Sequence, residues 1–240
     1  MDDKAERMTS VSADDGPPPQ KRTSSFDASA FIARNLRLLP VPGLQDIQLY
    51  TAHSGSRLSR LGGTDPDPPA PYWAYGWGGG AVLARYIAEN PHLVRGRRVL
   101  DLGTGSGLVA IIAARAGATS VVASDIDENA IAAAHLNAAA NGVELDLLHV
   151  DLLDGPPPAV DIVLVGDLFY DQALAKRALA FLETCRAAGI DVLIGDPYRV
   201  PLPTEKLHCI AEYSVPDFGL GSDGDEVRAG VFSLAAVPDL

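Results

Sequence analysis

The sequence predicts one α/β domain: a mostly parallel sheet with an antiparallel edge and helices on both faces. Three observations lead there. Short β-branched and aliphatic runs alternate with apolar helical patterns from Arg97 to Gly195, the rhythm of strand–helix–strand units. A glycine-rich turn, Gly103-Thr104-Gly105-Ser106-Gly107, joins the first of these runs to a helix. Two β-like runs, 207–215 and 227–236, close the chain with no helical pattern between them and fit an antiparallel edge.

Composition narrows the function classes. With 47% hydrophobic residues, the 240-residue chain can build a substantial core. A net charge of −12 argues against a nucleic-acid backbone as the main partner, which would require a basic footprint. The acid surplus serves solubility or complements a basic protein surface. Cys185 and Cys209 are isolated thiols, expected to be buried and inert in a reducing compartment. No apolar run reaches the roughly 18 residues of a membrane span. Asp2, Asp3 and Glu6 stand where a signal or transit peptide would be apolar or basic, so cytoplasmic residence is expected.

Residues 1–24, rich in charge, Ser and Pro, are expected to form a disordered tail. Residues 25–70 read as an extension packed on the core. In it Phe26, Phe31, Ile32, Leu36 and Leu39 share one face of a helix that stops before Pro40, 46–52 alternates like a strand, and 62–71 is a loop. The main domain is expected over 71–240. It opens with both tryptophans and three consecutive glycines, Pro71 to Gly80; these aromatics either plug the end of the sheet or roof a cofactor pocket. A helix over 81–89 follows, burying Val82, Leu83, Tyr86 and Ile87 and ended by Asn90-Pro91.

Strand 97–102 runs into the glycine turn. Gly103, Gly105 and Gly107 allow positive φ and a close backbone approach to a ligand, and the next helix, 108–116, aims its N-terminal amides at it. The spacing is G-x-G-x-G, with Leu108 where a dinucleotide fingerprint has its last glycine. Strand 120–124 ends on Asp125, about twenty residues beyond the turn, where a carboxylate holds a ribose diol. Asp127 caps helix 128–140. After strand 144–149, Asp151 either accepts from an exocyclic adenine amine or is a solvated loop acid, and His149 reads as packing. Strand 161–166 delivers Asp167 and Tyr170 to the crevice at the carboxyl edge of the sheet, as substrate-side residues. Asp171 caps helix 172–187, and strand 191–195 ends in Asp196-Pro197-Tyr198-Arg199.

One glycine turn without a second mononucleotide half suits one nucleoside. Five histidines lack metal-ligand spacing, no phosphate-loop lysine follows the turn, and Ser106 is misplaced for a nucleophile elbow.

Val99 to Gly107 (Val-Leu-Asp-Leu-Gly-Thr-Gly-Ser-Gly) with Ala123-Ser124-Asp125-Ile126-Asp127 resembles the S-adenosylmethionine-binding core of the seven-stranded (class I) methyltransferases. The narrower resemblance is to the electron transfer flavoprotein beta-subunit lysine methyltransferases. It is carried by Pro71-Tyr72-Trp73-Ala74 with Trp77-Gly78-Gly79, by Gly166-Asp167-Leu168-Phe169-Tyr170-Asp171, and by Leu193-Ile194-Gly195-Asp196-Pro197. It covers about residues 26–236. The resemblance implies a Rossmann-like seven-stranded sheet and S-adenosylmethionine as cofactor. It also implies cofactor contacts from Trp77, Asp101, Gly103, Thr104, Gly105, Gly107, Asp125, Ile126, Asp151 and Gly166, an acid-x-x-aromatic substrate motif on Asp167 and Tyr170, and methylation of lysine in the flavoprotein beta subunit. Tyr198 departs from a Gly that often follows Asp-Pro in that family.

A lysine with an ordinary pKa of about 10.4 must lose its proton before attacking a sulfonium methyl. Asp167 is expected to orient the incoming ammonium, and Tyr170 with nearby aromatics to contact it by cation–π attraction. A carboxylate alone would raise the lysine pKa, so desolvation has to assist. Three rivals stand. Ribosomal protein L11 methyltransferases share the glycine turn and Asp-Ile-Asp but have an Asn-rich end to the fourth strand. DNA or glutamine amino-methyltransferases want Asn/Asp-Pro-Pro-Tyr there, and Asp196-Pro197-Tyr198 is one proline short and one strand late. The third is a non-catalytic nucleoside-binding module.

Overall fold

The computed structural model describes residues 27–61, 70–217 and 226–235. The expected tail 1–24, Phe26 and most of loop 62–71 lie outside the described residues.

The chain opens with helix α1 (Ala28–Asn35), capped by Asp27, and a hairpin of β1 (Arg37–Val41) and β2 (Leu44–Thr51). The single helix expected through Leu39 is therefore corrected. It ends at Asn35, whose side-chain amide donates back to the Phe31 carbonyl, and Leu39 and Pro40 lie in an extended edge strand. Pro40 biases its predecessor toward extended backbone, and an edge strand tolerates its missing N–H.

The main sheet contains β3 (Arg98–Leu102), β4 (Ser120–Asp125), β5 (Asp146–His149), β6 (Ile162–Gly166), β7 (Asp191–Asp196), β8 (Leu207–Pro216) and β9 (Glu226–Leu234). Its strand order is β5-β4-β3-β6-β7-β9-β8, parallel as far as β7 and antiparallel from there. The chain winds outward from β3 in one direction and from β6 in the other. Their carboxyl ends therefore border the crevice in which such sheets bind ligands.

Helices α2 (Gly78–Glu89), α3 (Leu108–Arg115), α4 (Glu128–Ala140) and α5 (Gln172–Ala187) cover the sheet. Side chains alternate along each strand: Val99, Ile162 and Leu164 pack with α2 and α3, while Leu100, Val163 and Val165 pack with α5. Asp127 and Asp171 cap α4 and α5 as expected. A third cluster joins Ile32 and Leu36 to Trp73, Ala130 and Ala133, seating the N-terminal segment on α4.

Helix α2 starts at Gly78, three residues before the expected position 81, because its glycines press against the sheet. A Cβ on Gly79 would lie 2.6 Å from the Asp167 nitrogen, and one on Gly166 2.9 Å from the Gly80 Cα. Cys185 is buried, but Cys209 is exposed on β8, correcting the expectation that both thiols are inside. Among the described residues no helix is long and apolar enough to cross a membrane.

Candidate active site

A cavity of about 470 Å³ opens at the carboxyl ends of β3, β4 and β6. Its floor is the glycine turn. Gly103, Gly105 and Gly107 all have positive φ, of 69, 51 and 84°. Gly103 and Gly105 line the cavity with bare backbone. Gly107 does not line it; a Cβ there would sit 3.1 Å from the Ala134 Cβ, so this glycine serves the packing of α3 against α4.

Two carboxylates shape the turn. Asp101 is buried, and its Oδ2 accepts from the Thr104 hydroxyl at 2.6 Å and from the Ala110 N–H at 3.1 Å. It braces the end of β3 against the first turn of α3. Burial pushes its pKa up to about 7, against those two hydrogen bonds, which lower it. Asp125, at the end of β4, accepts from the Gly105 N–H (2.9 Å) through Oδ2 and from the Asp127 N–H (3.0 Å) through Oδ1. Burial raises its pKa as well. Each oxygen keeps a lone pair, and the residue lines the cavity beside the turn. Ile126, 67% exposed, and Val150 present apolar surface next to it. This cradle, with one carboxylate that can still accept hydrogen bonds and an apolar flank, fits a single adenosyl group.

Asp151 is less free than its sequence position suggests. It is exposed, takes the Leu153 N–H at 3.0 Å, and is ion-paired with Arg177 at 2.9 Å, which lowers its pKa. His149 is exposed, with its Nε2 3.0 Å from the Ile126 carbonyl oxygen. Among the described residues no group of His, Cys, Asp and Glu could hold a metal ion.

The opposite wall carries the acid and the aromatics. Asp167 follows β6 in the left-handed region (φ 59°), rare for a residue with a Cβ. Its Oδ2 accepts from the Gly79 N–H at 3.0 Å. Both oxygens also receive Arg199: Nε to Oδ1 at 2.7 Å and Nη2 to Oδ2 at 3.1 Å. Tyr170 stands at the mouth, half exposed, its ring 5.3 Å from that of Tyr72, which meets Trp77 edge-on at 5.6 Å. The Trp77 indole N–H donates to the Tyr72 carbonyl at 2.6 Å. Burial raises the pKa of Tyr170, with smaller contributions from Tyr72 and neighbouring acids. The expected residues Trp77, Gly166, Asp167 and Tyr170 thus line the same cavity as the glycine turn. Arg199 lines it too, a residue to which the sequence reading gave no role; its signal was a cation three residues after Asp196 at the end of the neighbouring strand.

The electron transfer flavoprotein beta subunit lysine methyltransferase of Danio rerio is 42% identical over 155 residues, 62% of this chain and 60% of the relative. The Caenorhabditis elegans homolog of that enzyme is 30% identical over 192 residues, 69% of this chain and 79% of the relative. The chain belongs to the electron transfer flavoprotein beta subunit lysine methyltransferase family. It spans about 60% of the length of the vertebrate relatives it matches. The family model of the ribosomal protein L11 methyltransferases matches residues 86–168, the part that holds the glycine turn and Asp125. Among solved structures, a candidate RNA methyltransferase from Pyrococcus horikoshii shares the fold, with a TM-score of 0.53 at 16% identity over 71% of this chain and 91% of that one.

In this member of the lysine methyltransferase family, Tyr198 takes up the left-handed backbone (φ 61°) that a glycine would adopt without strain. Its ring packs edge-on against Phe232 at 5.4 Å, and its hydroxyl donates to Glu212. Asp196 caps the same turn: its Oδ1 accepts from the Arg199 N–H at 2.7 Å. Its Oδ2 is buried with no partner among the described residues, and burial pushes the pKa up to about 7.

Proposed function

We propose that the chain is an S-adenosylmethionine-dependent protein-lysine N-methyltransferase and that its acceptor is the electron transfer flavoprotein beta subunit. One observation carries the reading: a glycine cradle with Asp125 and an aromatic wall with Asp167 share one cavity, so a nucleoside cofactor and an amine side chain can meet there. The names of the family relatives support the acceptor.

When bound, S-adenosylmethionine supplies a methyl group already activated on a sulfonium. The chain's own residues then have three tasks. The backbone of Gly103 and Gly105 and the Asp125 carboxylate hold the adenosyl end, with Ile126 and Val150 as apolar flanks. Trp77 contacts the cofactor, as the resemblance implies, while Tyr72 and Tyr170 line the path of the lysine stem and attract its cationic forms, each contact worth about 0.5–2 kcal/mol. Asp167, fixed by Gly79 and Arg199, orders the far wall. Most of the rate is expected from alignment of the acceptor nitrogen with the methyl group.

The test incubates the purified chain with methyl-labelled S-adenosylmethionine and either purified electron transfer flavoprotein or ribosomal protein L11. Label in the flavoprotein beta subunit, located on lysine by mass spectrometry, is the expected result. Label in L11 alone would favour the relationship seen over residues 86–168, and tight cofactor binding without transfer would leave a non-catalytic module.

A further inference from the structure

On the reading above the acceptor is an amine, and the charge of the wall it meets decides its reactivity. A bare carboxylate at Asp167 would hold a lysine as ammonium, which has no lone pair to attack with. The wall is not a bare carboxylate. Arg199 grips Asp167 through two nitrogens, at 2.7 and 3.1 Å, and the Asp167 side chain is only 6% exposed. A guanidinium makes this planar fork; an ammonium cannot. The same guanidinium lies 5.4 Å from the Trp77 ring centre and 3.7 Å from the Asp217 carboxylate. The substrate-side wall is therefore assembled around one cation reached by three distant parts of the chain.

We propose that Arg199 is a positioning residue of the transfer site: by gripping both oxygens of Asp167 it offsets that carboxylate's charge, so that the acceptor amine is received as the free base and not trapped as an ammonium–carboxylate pair. The amine proton leaves to solvent first. The nitrogen lone pair then forms the new bond to the methyl carbon as the carbon–sulfur bond breaks, and positive charge passes from sulfur to nitrogen. The other ionisable groups around the wall are Asp217 after β8, Asp196 at the end of β7, Tyr72 and Tyr170 at the mouth, Asp171 beside Tyr170 and Asp125 across the cavity. The other cation lining the cavity among the described residues, Arg177, is ion-paired with Asp151 and Asp154.

The experiment measures kcat and KM against pH, from about pH 6 to pH 10 to cover the lysine range, using the full chain with S-adenosylmethionine and the flavoprotein acceptor. Cofactor affinity, by calorimetry, verifies the fold of each variant. Arg199→Gln is expected to move the rising limb of kcat upward by roughly one pH unit or more, since it leaves the carboxylate unopposed. Arg199→Lys keeps the charge but loses the fork, and is expected to lower kcat several-fold with the limb where the wild type has it. Asp167→Asn, which keeps the cation, should move the limb to lower pH. A limb that stays in place in both the Gln and Asn variants, or that moves alike in Gln and Lys, overturns the inference in favour of a purely structural brace. So does loss of all turnover in the three variants with cofactor binding intact. A wild-type chain that transfers no methyl to the flavoprotein defeats the reading of the reaction instead, and is seen before any variant is made.

Discussion

Asp125 and Gly79 are the residues on which the two halves of the cavity depend most directly. Asp125 holds the glycine turn with one oxygen, which accepts from the Gly105 N–H, and the entry to α4 with the other, which accepts from the Asp127 N–H. Asp125→Ala removes both anchors and the proposed ribose contact. Since hydrogen bonds to charged groups contribute about 1.5–3 kcal/mol, calorimetry should find cofactor affinity weakened on the order of ten- to a hundred-fold. An unchanged dissociation constant would take Asp125 out of the ribose site. Gly79 has a steric role. Its missing Cβ leaves room for the backbone of Asp167 and the Gly195 carbonyl, and its own N–H donates to the Asp167 carboxylate. Gly79→Ala overpacks this seam at a cost of about 1–3 kcal/mol. A melting curve should show a Tm several degrees below wild type, together with a loss of kcat as Asp167 is displaced.

Helix α4 links elements that lie far apart in the sequence. Its Asn137 is fully buried; the Oδ1 accepts from the Tyr50 N–H of β2 at 2.8 Å and the Nδ2 donates to the Ser106 carbonyl at 2.8 Å. One turn later, Asn141 exchanges two hydrogen bonds with the Gln48 backbone, at 2.9 and 2.7 Å. The hairpin is thereby docked on the helix behind the glycine turn, and the turn's own carbonyl is held in place. Asn137→Ala leaves a part-buried donor, the Tyr50 N–H, and a part-buried acceptor, the Ser106 carbonyl, without this partner. It should cost about 1–3 kcal/mol for each group in urea unfolding, and it should weaken cofactor binding although Asn137 lies outside the cavity. Asn141→Ala, at an exposed end of the same helix, is expected to cost less in stability and to leave the cofactor affinity near wild type.

At the scale of the whole molecule, two carboxyls enclosed by the fold are expected to make stability depend on pH in an unusual way. Asp101 and Asp196 are 1% and 0% exposed, and burial pushes each from an ordinary value near 3.8 to about 7. Between those values the folded state holds more protons than the unfolded one, so stability declines as pH rises from about 4 to 7 and then levels off. Asp161 acts in the opposite sense: its hydrogen bonds to Arg98 lower it to about 2, a contribution present above about 3.8 and lost toward pH 2. A net charge of −12 adds self-repulsion at neutral pH. The urea midpoint is therefore expected to be highest near pH 4–5 and to fall by pH 8. A midpoint that rises over that range would contradict the protonated state of both buried acids, and Asp196→Asn should flatten the slope.

The cofactor half was readable from local order alone. Strand, glycine turn, helix and the acid ending the next strand are contiguous or nearly so, and backbone sterics dictate what each residue type can do there, so Gly103, Gly105 and Asp125 face the cavity from the expected positions. The alternation of apolar runs likewise carried the parallel sheet and its antiparallel edge, because burial on both faces demands that pattern. The start of α2 and the end of α1 are not set by local sequence, because both depend on partners elsewhere: the Gly79–Asp167 seam in one case and pairing with β2 in the other. The charge of the substrate wall was hidden for the same reason. Asp167, Arg199 and Trp77 stand on segments far apart in the chain. A carboxylate's chemistry depends on which cation stands within hydrogen-bond reach, and that distance exists only once the chain has folded.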